Sequence, residues 1–252
     1  MFRRKIPCYV LIFDQLDIIK SSLNFLSKYS NRLDLIVIEN PSPNTAKIKK
    51  LVDSLGQSGL VKRYYLFDKN ITGNAYDTVL TKELDEIKKS PFVLITDGDL
   101  MADNPGWLDE EISILKKHKG VFACGVSLDM SNLPLASFPS AKNWIPKDIA
   151  EHKDYFEALT GGHLLLVRGK EFYDFMKWKD KNNLYFVDGF MHKYCYEILN
   201  KRWSRTKKSK ARHLTWDLYL DKDHAYTKLK TEKSFHETWY HRRGASYSLT
   251  NY

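Results

Sequence analysis

Short apolar runs alternate with segments of helical period along the first 128 residues, and this alternation restricts the available folds more than any other feature of the chain. "PCYVLIF" (7–13) is followed by a stretch with Ile18, Ile19, Leu23 and Leu26 on one face, then by "LDLIVI" (33–38) and a helical segment near 44–56. "LVKRYYLF" (60–67), a segment carrying Ala75, Val79, Leu80, Leu84 and Ile87, "PFVLIT" (91–96), a helix near 105–118 and "GVFACGVSL" (120–128) continue the series. Apolar strands separated by helices are βαβ units. The fold class this predicts is α/β: a Rossmann-like, mostly parallel central sheet flanked by helices. With no internal repeat and no linker composition, the 252 residues read as a single domain large enough to bury a substantial core.

The second half is less regular. The turn-rich stretch 129–148 holds three prolines and reads as a long functional loop. "FEALTGGHLLLVR" (156–168) reads as a strand with a Gly-Gly break, followed by a helix with Phe172, Phe175 and Met176 and by a further helix starting near Asp188. The formal net charge of +9 is concentrated in "KRWSRTKKSKAR" (201–212), which holds seven Lys or Arg and no acid. A phosphate-rich ligand, nucleic acid, a membrane face and a solvated loop are all readings of such a block. Cys8, Cys124 and Cys195 form no CxxC pair, so neither a zinc site nor a disulfide framework is indicated and a reducing compartment fits. The basic start before Ile6–Phe13 imitates a signal peptide, but Pro7, Asp14 and Asp17 favour a first strand. No apolar stretch approaches the roughly 20 residues of a membrane span, and the expectation is a cytoplasmic protein.

In doubly wound sheets the ligand sits beyond the carboxyl ends of the strands. Phe13/Asp14, Glu39/Asn40, Asp68 to Asn70 and Asp97/Asp99 all fall at such ends and should line one crevice. "VLITDGDLM" (93–101) is the most informative of them. Residues i and i+2 of an extended chain point the same way, so Asp97 and Asp99 converge, while Gly98 lets a ligand approach the backbone. Two carboxylates held together raise each other's pKa unless a cation lies between them, and an all-oxygen pair suits Mg²⁺ or Mn²⁺. A surface turn in which Asp caps the next helix is the competing account of the motif.

The order and spacing of "IVIENPSPNT" (36–45), "FDKNITGNAYDTVL" (67–80) and "VLITDGDLM" after an N-terminal strand resembles the GT-A glycosyltransferases, most closely glycosyltransferase family 2, over residues 6–190. That resemblance implies a GT-A fold and transfer of a sugar from a UDP-, GDP- or dTDP-sugar to a glycan or glycolipid acceptor, assisted by Mn²⁺ or Mg²⁺. Residues 1–128 would be the nucleotide-sugar half and 129–252 the acceptor half. Glu39 would accept a base N–H, with Phe13 and Asp14 nearby; Asn70 and Gly73 would open the helix beside the donor; Asp97 would reach the ribose and the metal; Asp99 would bind the metal, and His213 would complete its shell. Asp188, in "LYFVDGFMHKYCYEIL" (184–199), would be the base of an inverting transfer, an N-cap being the alternative. The chain departs from the family pattern at Glu39, where Asp is usual, in the extra residue of "NITG", and at Val187, where Glu is usual.

The basic block, polar and without apolar periodicity, reads as a mobile lid that closes over a diphosphate and carries His213 to the cation. A peripheral contact with the inner membrane face also fits it. Other function classes fit less well. A haloacid-dehalogenase-type phosphatase carries its DxD on the first strand, and a nucleotidyltransferase needs a Gly-rich loop that "FDQLDIIKSS" lacks. A nucleic-acid binder built on 201–212 conflicts with the acids crowding the crevice, so no nucleic-acid partner is expected. Trp144, Trp178, Trp203, Trp216 and Trp239 are given no site.

Overall fold

The computed structural model describes residues 4–231 and 245–252; Trp239 and the rest of 232–244 lie outside the described residues. Four parallel strands, β1 (Ile6–Ile12), β2 (Leu33–Glu39), β3 (Val61–Phe67) and β4 (Phe92–Asp97), adjoin in the order β3-β2-β1-β4. Their continuous apolar runs follow from helices covering both faces. Leu33, Leu35 and Val37 pack with Ile19, Leu23 and Leu26 of α1 (Leu16–Ser27) and with Ile48, Val52 and Leu55 of α2 (Thr45–Gln57). On the other face Ile36 and Ile38 meet Ala75, Val79 and Leu80 of α3 (Asn74–Lys82) and Ile87 of α4 (Leu84–Lys89). The single helix expected over 75–87 is thus two, broken at Glu83, whose carboxylate is taken by Arg63 and Tyr65.

After β4 come β5 (Leu100–Ala102), α5 (Trp107–Lys117), β6 (Val121–Leu128), β7 (Lys147–Glu151), β8 (Phe156–Leu159), β9 (Leu165–Arg168) and α6 (Gly169–Lys181). The chain continues through α7 (Asp188–Lys193), a π-helical turn (Tyr194–Ile198), β10 (Arg202–His213), α8 (Ala225–Thr231) and β11 (Tyr247–Asn251). The sheet runs β11-β3-β2-β1-β4-β9-β6-β10-β8-β7. It is therefore mixed: β9 is antiparallel to β4 and β6, β10 is parallel to β6 but antiparallel to β5 and β8, and β11 is antiparallel to β3. The parallel order predicted from sequence is that of the N-terminal half.

The largest departure concerns the basic block. The segment is not a mobile lid; from Arg202 onward it forms β10, inside the sheet between β6 and β8. Its inward positions include Trp203, Ser204, Thr206, Ser209 and Ala211, all fully buried. Hydroxyls stand in for apolar groups there: Ser204 Oγ donates to the Ala123 carbonyl at 3.0 Å and Thr206 Oγ1 to the Ser209 carbonyl at 2.7 Å. A strand with Ser and Thr at three of these five buried positions shows no apolar alternation in sequence. Several of the cations are matched by acids, with Arg205–Asp148 at 2.7 Å, Lys207–Glu151 at 2.5 Å and Arg212–Asp217 at 2.9 Å. A bulge between Arg205 and Lys210 aims the Lys207, Lys208 and Ser209 N–H groups at the Glu110 carboxylate, at 2.8, 2.9 and 3.0 Å. The next residue of α5, Glu111, is fully buried with neither carboxylate oxygen partnered, and burial holds its pKa well above the usual carboxylate range. Among the described residues no helix is long and apolar enough to cross a membrane.

Candidate active site

Asp97 ends β4, and the chain then crosses the end of β1 so closely that a Cβ on Gly98 would lie 2.4 Å from Ile12 Cγ2. The Gly98 N–H donates to the Leu11 carbonyl at 2.7 Å, which fixes the turn. Beyond it β5 pairs with the end of β10, placing His213 opposite Leu100, and the Leu214 N–H donates to the Asp99 carbonyl at 2.7 Å. The basic strand thus delivers His213 to Asp99: His213 Nδ1 lies 3.4 Å from Asp99 Oδ2, and Thr215 Oγ1 donates to the same oxygen at 2.6 Å. Asp99 Oδ1 is buried without a hydrogen-bond partner. An orphaned carboxylate oxygen beside an imidazole is a donor set that fits a hard or borderline divalent cation. Among the described residues no three His, Cys, Asp or Glu groups form a ready-made cation site, so the Asp99–His213 pair would need ligand or water oxygens to complete a shell.

Asp97, Asp99 and His213 open onto a cavity of about 840 Å³. One wall is built from the strand ends: Phe13, Asn40, Asn70, Thr72, Gly73 and Tyr76. Asn40 locks the loop after β3, donating to the Thr72 carbonyl at 3.0 Å and accepting the Ile71 N–H at 3.0 Å. Asn70 accepts the Thr72 N–H at 2.8 Å, and Thr72 adopts φ 54°, so the extra residue of "NITG" is absorbed in a left-handed turn before α3. The Tyr76 hydroxyl bonds both the Thr96 carbonyl and the Leu11 N–H, tying α3 to the β1–β4 junction.

Two expected donor residues are not on this wall. Glu39 is in phase with Leu33, Leu35 and Val37, so its side chain enters the core beneath α1 and α2, where it accepts the Tyr64 hydroxyl and burial raises its pKa. Its neighbour Asn40 takes the cavity position. Asp14, at φ 65°, spends its carboxylate on Gln15 and Asn44, at 2.7 and 3.2 Å. Asp68 is exposed.

The rest of the lining comes from the second half. Asp188 starts α7 and accepts the Gly162 N–H, and burial raises its pKa to about 6. The Gly-Gly break between β8 and β9 lets the backbone pass beneath it: a Cβ on Gly161 would lie 3.1 Å from Asp188 Oδ2 and 2.8 Å from His163 Cε1. His163 packs edge-on against His213, ring centroids 5.8 Å apart, and burial lowers its pKa to about 4. One helical turn after Asp188, the ring nitrogen Nε2 of His192 is 2.9 Å from the Thr160 carbonyl, while Trp203 Nε1 donates to Thr160 Oγ1 at 2.7 Å. Trp144 and Trp216 line the cavity as a stacked pair 5.8 Å apart, with His213 lying parallel to Trp216 at 4.8 Å.

Sequence reasoning therefore selected Phe13, Asn70, Gly73, Asp97, Asp99, Asp188 and His213, which the fold brings to one cavity, and passed over Tyr76, Gly161, His163, His192 and the two tryptophans. The Gly-Gly break ahead of His163 was the available signal.

No family model matches the chain. It is 47% identical over 237 residues to the uncharacterized protein L142 of Acanthamoeba polyphaga mimivirus, covering 92% of this chain and 48% of that protein. It is 42% identical over 249 residues to the uncharacterized protein L137 of the same virus, covering 97% of this chain and 34% of that one. The chain thus spans half or less of these relatives. Among solved structures, it is similar to GalNAc-T7 with UDP, GalNAc and Mn²⁺ (TM-score 0.55, 10% identity, 84% of this chain and 44% of that one). It is also similar to the mannosyltransferase PcManGT from Pyrobaculum calidifontis in complex with GDP-Man and Mn²⁺ (TM-score 0.54, 12% identity, 85% and 58%). With its central mixed sheet, flanking helices and strand-end cavity, the chain has the fold of the GT-A glycosyltransferases.

Proposed function

We propose that this domain is a metal-dependent glycosyltransferase that moves a sugar from a nucleotide diphosphate-sugar to a hydroxyl of a glycan or glycolipid acceptor, with inversion. The observation that carries the reading is the pairing, across one cavity, of the Asp99–His213 cation-type donor set with a carboxylate, Asp188, whose pKa of about 6 suits a general base. The two structural neighbours were solved with UDP or GDP-Man and Mn²⁺ and support the same donor class.

In this reading the nucleotide lies along the wall of Phe13, Asn40, Asn70 and Gly73, with Asp97 at the ribose and Asp99 and His213 at the diphosphate. Mn²⁺ or Mg²⁺ held there would supply positive charge to the leaving group. Asp188 takes the proton of the acceptor hydroxyl as its oxygen bonds to the anomeric carbon; the bond from that carbon to the diphosphate oxygen breaks and its electron pair leaves with the nucleoside diphosphate. The cavity wall formed by Trp144 and Trp216 would shield this exchange from water.

Thermal unfolding against UDP-, GDP- and dTDP-sugars, each with and without Mn²⁺, tests the reading. A ligand at about 100 times its Kd stabilises by roughly 2.7 kcal/mol, so one donor should raise Tm only when Mn²⁺ is present. Asp99→Asn should abolish that rise while leaving the unliganded protein folded. Stabilisation by a donor that is the same without metal, or that survives in Asp99→Asn, would remove the metal assignment.

A further inference from the structure

The reading above places Asp99 and His213 at one end of the reacting centre and Asp188 at the other. His163 packs against the first of these and lies in the segment next to the second. Its carbonyl accepts the Val126 N–H at 3.3 Å, anchoring the segment to β6, and its ring packs against His213 at a 74° angle. Ring atoms Cε1 and Nδ1 would also stand 2.8 and 3.3 Å from a Cβ on Gly161, a point that Asp188 Oδ2 approaches to 3.1 Å. The imidazole thus lines the cavity with His213 against its ring and the Gly161 backbone beside Asp188 next to it.

A single displacement sets the attacking oxygen, the anomeric carbon and the departing oxygen in line. With the base at one end and the diphosphate at the other, the breaking bond lies beside the side chain that neighbours both ends. The geometry points to His163 as the hydrogen-bond donor to the leaving diphosphate, at the oxygen nearest the transferred sugar. An imidazole carries a ring N–H in either protonation state, so the role requires no titration, and the proton stays on nitrogen. As charge gathers on the departing oxygen this bond strengthens, so its contribution is larger in the transition state than in the bound donor.

This inference rests on the glycosyltransferase reading, and the test separates the two. Binding of UDP, GDP and dTDP with Mn²⁺, and of uridine, guanosine and thymidine, is measured by titration calorimetry for the wild type, His163→Leu, His163→Phe and His163→Gln. The nucleoside diphosphate that binds the wild type should bind His163→Leu and His163→Phe about tenfold more weakly, as loss of a hydrogen bond to a charged group implies. Gln keeps an N–H and should restore affinity to within about threefold, and the matching nucleoside should bind all four proteins alike. His163→Phe keeps the ring volume, so a packing role predicts wild-type affinity for it. Unchanged diphosphate affinity in both Leu and Phe variants, or an equal loss for the nucleoside, overturns the assignment of His163 alone. If the wild type binds none of the three diphosphates with Mn²⁺, the underlying reading fails and this inference with it.

Discussion

Replacing Asp188 by Asn should make the protein inactive and more stable at once, because the two effects have the same cause. The Asp188 carboxyl has its pKa raised from 3.8 to about 6 by burial, against the opposing Gly162 hydrogen bond. Between those values the folded state binds more protons than the unfolded state, so stability falls as pH rises through the interval and levels off above about 6. Each pH unit in the interval is worth about 1.4 kcal/mol. Allowing for the partial exposure of the carboxylate to the cavity, ionisation at neutral pH costs the fold on the order of 2 kcal/mol. An Asn amide oxygen still accepts the Gly162 N–H and carries no charge, so Asp188→Asn removes the cost. For a domain of this size the gain corresponds to a Tm rise of roughly 5 °C, present at pH 7 and absent at pH 4. Transfer should fall by at least about 10²-fold, the lower range for a general base, with donor affinity near wild type. In the wild type, kcat/KM should drop about tenfold per pH unit below 6, since only the ionised form accepts the proton. The assay is thermal unfolding of both proteins from pH 4 to 8 beside turnover over the same range. A variant no more stable at pH 7 than the wild type, or a stability difference independent of pH, would refute the desolvated-base argument, and product with retained anomeric configuration would remove the need for this base.

Three other outcomes are expected. Glu111→Met replaces a fully buried carboxyl that has no hydrogen-bond partner. Removing an unsatisfied buried polar group should raise stability at pH 7 by about 1–3 kcal/mol in urea titrations, and the gain should shrink as pH falls towards 4, where the native acid is largely neutral in both states. Gly161→Ala puts a methyl 2.8 Å from His163 and 3.1 Å from Asp188; turnover should fall at least tenfold, roughly the cost of a misplaced catalytic group, with Mn²⁺-dependent nucleotide binding reduced less than turnover. Trypsin should spare Arg202 to Arg212 in the native protein at equal rates with and without nucleoside diphosphate and Mn²⁺, since β10 is an internal strand; ligand-dependent protection there would restore the lid.

The alternation of apolar and helical segments determined the N-terminal half of the sheet, because each run is long enough for one strand and its period reports which faces are covered. It also determined where the ligand end lies, and so selected Asp97 and Asp99. Three matters were decided only by tertiary structure. Strand periodicity assigns two faces but does not say which of Glu39 and Asn40 turns into the crevice; the packing of α1 and α2 on the Leu33–Leu35–Val37 face sent Glu39 inward to Tyr64. The basic block reads as a loop because Ser204, Thr206 and Ser209 occupy much of its buried face, and only the carbonyls and acids of β6, β7 and α5 supply the partners that make it a strand. His163, His213 and Asp188 lie in separate parts of the chain. Their meeting depends on β9 running antiparallel between β4 and β6, and on β10 returning to pair with β5, pairings between distant segments that no local pattern encodes.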